Sequence, residues 1–140
     1  MIFAIALSSN DGMEQHLKLA AQHIRQWGEC QFSSIYIIPC RDGIGADYWN
    51  AACLCESEQD VAQITQQLTQ LEQQAGRIRP SHQISLDVDL IAWGDDLQNM
   101  QLNSRKLPLP ADVKIPLAEL WQRDEFKVVH AFERVKQKVW

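Results

Sequence analysis

The chain lacks the markers that would assign it quickly to several large classes of protein. Its four cysteines, Cys30, Cys40, Cys53 and Cys55, form no C-x-x-C pair and are too sparse for a secreted disulfide scaffold. They read as reduced thiols, with Cys53 and Cys55 alternating onto one face of an expected strand, where a small apolar side chain packs well. Positive charge is not in excess: 13 basic residues face 18 acidic ones, so a polyanion-binding surface is not indicated and nucleic acid is not an expected partner. The longest N-terminal apolar run, Ile2-Phe3-Ala4-Ile5-Ala6-Leu7, has no basic leader and is too short for a membrane span. It reads as a strand of a cytoplasmic protein with no membrane partner. The four histidines are scattered, and neither an internal repeat nor an interdomain linker is visible, so residues 1–140 are expected to form a single domain. Oligomeric state is not readable from the sequence.

The most informative stretch is Ser85-Leu86-Asp87-Val88-Asp89-Leu90-Ile91-Ala92-Trp93. Side chains alternate along a strand, so Asp87 and Asp89 share one face while Leu86, Val88 and Leu90 take the other. Two carboxylates on one patch repel each other, and a hard divalent cation relieves that repulsion. A solvated outer face of an amphipathic strand is the plainer alternative.

Upstream, Ile2–Leu7 leads to the turn Asn10-Asp11-Gly12, where Asp11 and Glu14 have the spacing of a capping box. Met13, Leu17, Ala20, Ala21, Ile24 and Trp27 recur at helical spacing, and Gly28 is the expected stop. Phe32 to Pro39 reads as a second strand, followed by a glycine-containing loop from Arg41 to Asp47 suited to lining a pocket. A third strand is expected from Tyr48 to Cys55. The next helix carries Val61, Ile64, Leu68, Leu71 and Ala75 on its buried stripe, its glutamines on the polar face, and Gly76 as its end. A short basic loop then leads to the Asp87/Asp89 strand. In the tail, Leu107-Pro108-Leu109-Pro110 cannot be helical, a short helix is expected around Ile115–Trp121, and Phe126–Trp140 could be strand or helix.

Strand, helix, strand, strand, helix, strand is the split βαβ order of a ferredoxin-like α+β fold. It predicts an antiparallel sheet with both helices on one face and the other face free for a site.

Several motifs stand along this order: Ser9-Asn10, Tyr48-Trp49-Asn50-Ala51-Ala52, Leu71-Glu72 ahead of Gly76-Arg77-Ile78-Arg79, and Leu86-Asp87-Val88-Asp89. Together they resemble hydroxymethyldihydropterin pyrophosphokinase, the folate-pathway family that moves the β,γ-diphosphate of ATP to a pterin hydroxymethyl group. The resemblance implies that Asp87 and Asp89 hold magnesium. It makes Asn50 the reader of the pterin ring, with Tyr48 beside it and the Ile38-Pro39-Cys40 backbone lining its pocket. Glu72, Arg77 and Arg79 fall on the nucleotide side, where arginine suits phosphate oxygens by charge and fork geometry. Read without the resemblance, Asn50 could cap a strand edge, Tyr48 could pack on the core, and the three charged residues could be exposed helix-end groups.

The departures from the family pattern are equally specific. Ile84 stands where the family has an arginine, the tryptophan of that loop is absent, and Ser8 replaces a glycine. Between Pro110 and Ile115 only Ala111-Asp112-Val113-Lys114 remain, without the family's histidine, arginine and stacking phenylalanine. Lys106, Lys114 and Arg105 are the candidates to supply charge in their place. The resemblance therefore implies either a slow magnesium- and ATP-dependent diphosphate transfer or a catalytically inactive paralogue that binds a pterin, a nucleotide or a protein partner.

Overall fold

The computed structural model describes residues 1–41, 43, 45–77, 83–129 and 131–140. A seven-stranded antiparallel sheet runs β6-β5-β1-β4-β3-β7, with β2 also paired to β4. Its strands are β1 (Ile2–Ser9), β2 (Gly28–Phe32), β3 (Tyr36–Ile38), β4 (Tyr48–Ser57), β5 (Asp87–Gly94), β6 (Met100–Leu102) and β7 (Glu133–Arg134). Helices α1 (Met13–Arg25) and α2 (Val61–Gln74) connect them in the expected α+β, ferredoxin-like order, and α3 (Ala111–Leu120) follows β6.

Alternation divides β1 between two cores. Phe3, Ile5 and Leu7 join Ala51, Cys53, Leu86, Val88 and Leu90 beneath the stripes Leu17, Ala20, Ile24 and Ile64, Leu68, Leu71 of α1 and α2. Each fully buried leucine in such a layer contributes about 1.5–3 kcal/mol relative to exposure. Ala4, Ala52, Leu54, Ile91 and Ala92 face the other way, against Leu117, Trp121 and Phe126. The face expected to be free is thus partly covered by α3 and the segment after it. The signal was weak because α3 carries Pro116 internally and buries only Pro116 and Leu117.

Other boundaries differ for local reasons. Helix α1 is entered from Gly12 in the left-handed conformation, with no side-chain cap, so Asp11 and Glu14 do not form the expected box. A capping box does exist at Asp60 and Gln63, at the start of α2. Gly28 opens β2 instead of ending α1, and a Cβ there would lie 1.7 Å from the Glu56 carbonyl oxygen, so the strands meet too closely for any side chain. The expected strand Phe32–Pro39 is split in two, because the Ser33 hydroxyl accepts from the Ala52 amide at 2.8 Å and replaces a backbone partner. As expected, Cys53 and Cys55 are buried, and all four cysteines are free thiols.

Strand β5 changes phase midway. Ile5 pairs with Leu90 but Ala4 pairs with Ala92, leaving Ile91 as a bulge. Asn103 seals it, its amide donating to the Ile91 carbonyl at 2.7 Å and its Nδ2 to the Leu90 carbonyl at 2.8 Å.

Candidate functional site

Strand register assembles the site. Ser8 pairs with Asp87 on one side and with Asn50 on the other, and Asn50 pairs in turn with Tyr36. Asp87, Ser8, Asn50 and Tyr36 therefore form a row across four strands, on the face opposite α1 and α2. In the next row Ala6 lies between Asp89 and Ala52. Ser8 lines the cavity beside the acidic edge, while Ala52, with Ala6 packed against it, belongs to the second core under α3.

Glu72 reaches this row from the last turn of α2. Strand β6 pairs only with Ala92–Gly94, so the Val88 amide lies at an open stretch of edge and donates to Glu72 Oε2 at 3.1 Å. Arg77 Nη1 donates to Glu72 Oε2 at 2.9 Å and to Asp87 Oδ1 at 2.8 Å, while the Lys106 ammonium donates to Asp89 Oδ1 at 2.8 Å. Burial raises the Glu72 pKa to about 7, and the neighbouring Asp87 charge works in the same direction. Burial also pushes Asp87 upward, but its hydrogen bond to Arg77 and the Arg77 charge outweigh it and hold this carboxyl below its ordinary value. Asp89 is raised by burial and by the charge of Asp87, with Lys106 opposing both.

A cavity of about 200 Å³ adjoins the row, lined by Ser8, Cys40, Arg41, Tyr48, Asp87 and Asp112. It is smaller than the roughly 300–1,000 Å³ of pockets that engulf whole ligands, so it suits one end of a substrate. Helix α3 forms its outer wall. Arg41 makes a bidentate ion pair with Asp112, at 2.8 and 2.9 Å, and Glu119 accepts from the Tyr36 hydroxyl at 2.8 Å and the Ser34 amide at 2.9 Å. Burial and the Glu119 contact raise the Tyr36 pKa, while Tyr48 is raised by burial and by the charges of Cys40 and Asp87. A roomier hollow of about 420 Å³, lined by Ile2, Glu29, Cys30, Gln31, Leu54, Glu56 and Leu97, lies at the other end of β1 and contains none of these residues.

The structure brings Glu72, Arg77, Asp87 and Asp89 together at one sheet end, with Asn50 in the same row as Asp87 and Tyr48 on the cavity wall. Asn50 is only 5% exposed, and its Nδ2 is buried with no hydrogen-bond partner among the described residues. Pro39 is exposed and does not line the cavity, although the following Cys40 and Arg41 do. Arg79 lies outside the described residues. Tyr36, Asp112 and Glu119 were not anticipated. The seven-residue spacing of the two acids, which sets them on one side of a helix, was their only signal.

Glu72, Asp87 and Asp89 each offer a carboxylate oxygen within 4.8 Å of the others. An all-oxygen, anionic donor set of this kind fits magnesium. These features define a ferredoxin-like α+β domain with a carboxylate-rich pocket at one end of its sheet. The chain belongs to the 7,8-dihydro-6-hydroxymethylpterin-pyrophosphokinase (HPPK) family, which it matches over residues 4–133. No curated protein matches it. The family uses ATP and a pterin, which places the chain among the pterin pyrophosphokinases of folate biosynthesis.

Proposed function

We propose that this protein transfers diphosphate from ATP to 6-hydroxymethyl-7,8-dihydropterin, slowly and with magnesium. The observation that carries this reading is Asn50 Nδ2, a buried donor without a partner among the described residues, set in the same strand row as Asp87. An orphaned buried donor costs about 1–3 kcal/mol, and a pterin ring edge that accepts from it would recover that cost on binding. Asn50 and Tyr48 orient the ring, and α3 closes the outer side of the pocket. Asp87 and Asp89, with Glu72 beside them, would hold the magnesium, which neutralises phosphate charge when bound. Arg77 fixes Asp87 in its ionised state. Transfer of this type depends on positioning and charge neutralisation rather than on covalent chemistry.

The proposed slowness rests on Ile84 and on the short stretch from Ala111 to Lys114, which remove charge partners whose loss typically costs orders of magnitude in rate. The test is a coupled assay of AMP release with the pterin and MgATP, run with and without a chelator. Pterin-dependent AMP release that requires magnesium is the expected result, and its absence would remove the catalytic reading. A second reading, an inactive paralogue that binds pterin or nucleotide, is favoured by one observation: the carboxylates already have the chain's own cations, Arg77 and Lys106, as partners. Tight pterin binding without AMP release would select it.

A further inference from the structure

The two cations at the carboxylate cluster are held differently. Arg77 is 11% exposed, is shared by two carboxylates, and is tied through its own amide to the Glu72 carbonyl at 3.2 Å. Lys106 is 39% exposed and donates to one partner among the described residues, Asp89. Its backbone, however, is fixed. Residues Ser104–Lys106 form one 3-10 turn, Asn103 Oδ1 accepts from the Arg105 amide at 3.2 Å, and the Lys106 amide donates to the Asn103 carbonyl at 3.0 Å. Asn103 is in turn bonded to both carbonyls of the β5 bulge. A partly exposed ammonium is thus carried on a hydrogen-bonded turn, beside one of the two strand carboxylates.

We propose that Lys106 is a phosphate-binding residue which exchanges Asp89 for a nucleotide phosphate oxygen when a divalent cation takes Asp89. This rests on the diphosphate-transfer reading. A cation arriving at Asp87 and Asp89 cancels the attraction that holds the ammonium and repels it directly. The negative charge that enters with the cation is the polyphosphate, and four methylenes let Lys106 follow it without backbone movement. Lysine suits this exchange because its ammonium is a compact point charge with rotatable donors, whereas the planar fork of an arginine is bound to one geometry. Lys114 and Arg105, the other cations of this region, have no contact with the carboxylates among the described interactions.

The experiment is calorimetry with a methylene-bridged, non-transferable ATP analogue, AMP and the pterin, on wild type, Lys106→Met and Lys106→Arg, with magnesium and with chelator. In magnesium, Lys106→Met is expected to weaken the analogue by about 10-fold to 100-fold, the worth of one charge-assisted hydrogen bond. Lys106→Arg should recover part of the loss. Pterin affinity should stay unchanged in all three proteins, AMP should lose less than the analogue, and with chelator the analogue should distinguish them little. Melting temperatures matching wild type exclude a folding effect. Equal analogue affinity of Lys106→Met and wild type in magnesium would overturn the assignment while leaving the diphosphate-transfer reading intact. A wild type that binds the pterin but no analogue would overturn the lysine assignment and favour the inactive paralogue. One that binds neither would overturn both.

Discussion

Arg77 Nη1 lies 2.8 Å from Asp87 Oδ1, and the same nitrogen serves Glu72, so one guanidinium holds a helix end against a strand edge. Removing it leaves two carboxylates facing each other with little solvent. Arg77→Met is expected to destabilise the fold by about 2–3 kcal/mol, below the full cost of orphaning a deeply buried charge because Asp87 is 31% exposed. Urea denaturation at neutral pH measures the difference, and a loss below about 0.5 kcal/mol, the size of an ordinary surface change, would contradict it.

Glu72 titrates near pH 7 in the folded chain, well above an ordinary glutamate. The folded state therefore binds a proton that the unfolded state has released across the interval between those two values. Stability from this group is fully present below the unfolded pKa and is lost as pH rises through about 7. The melting temperature should fall between roughly pH 5 and 8, and Glu72→Gln should flatten that decline. Asp87, whose pKa is lowered, works oppositely and loses its contribution only on strong acidification. A Glu72→Gln melting profile parallel to wild type over this range would refute the assignment.

Asn50 offers a way to separate binding from folding. Its Nδ2 has no partner to lose among the described residues, so Asn50→Leu should change stability by less than about 1 kcal/mol while weakening the pterin about tenfold or more. Thermal melts paired with pterin titrations test this. A variant that melts early but binds the pterin normally would mean that the amide serves the sheet.

Ile84, which stands where the family has an arginine, is 8% exposed, and its backbone is clamped by Asn10, whose Oδ1 accepts from the Ile84 amide and whose own amide donates to the Ile84 carbonyl. Ile84→Arg is expected to cost about 2–4 kcal/mol by burying charge or forcing the clamp open, with no gain in kcat. Denaturation and turnover measured on the same sample decide the matter.

Much of the carboxylate cluster was legible because it depends on period two and on order along the chain. Asp87 and Asp89 share a face as alternation requires, and Glu72 and Arg77 flank the end of a helix whose stripe was plain. Contacts that bypass both regularities were hidden. The Lys106 to Asp89 bond depends on the bulge at Ile91 and on Asn103 sealing it, neither of which has a periodic signature. Helix α3 was underestimated because its apolar residues do not fall on one clean stripe and Pro116 interrupts it. The break at Ser33 is a side chain imitating a backbone acceptor, a substitution that hydrophobic patterning cannot register.

The bulge at Ile91 also acts as a reading-frame device for β5. Upstream of it, the odd-numbered Asp87 and Asp89 face away from α1 and α2; downstream, the odd-numbered Trp93 packs with the α1 and α2 core. Ile91 is the residue of β5 that the ladder skips, so removing it would leave Leu90 opposite Ile5 and Ala92 opposite Ala4, with Asp87, Asp89 and Trp93 all on the faces they now hold. A deletion of Ile91 should therefore take one buried side chain from the second core and disturb the Asn103 seal, while the acidic face keeps its orientation.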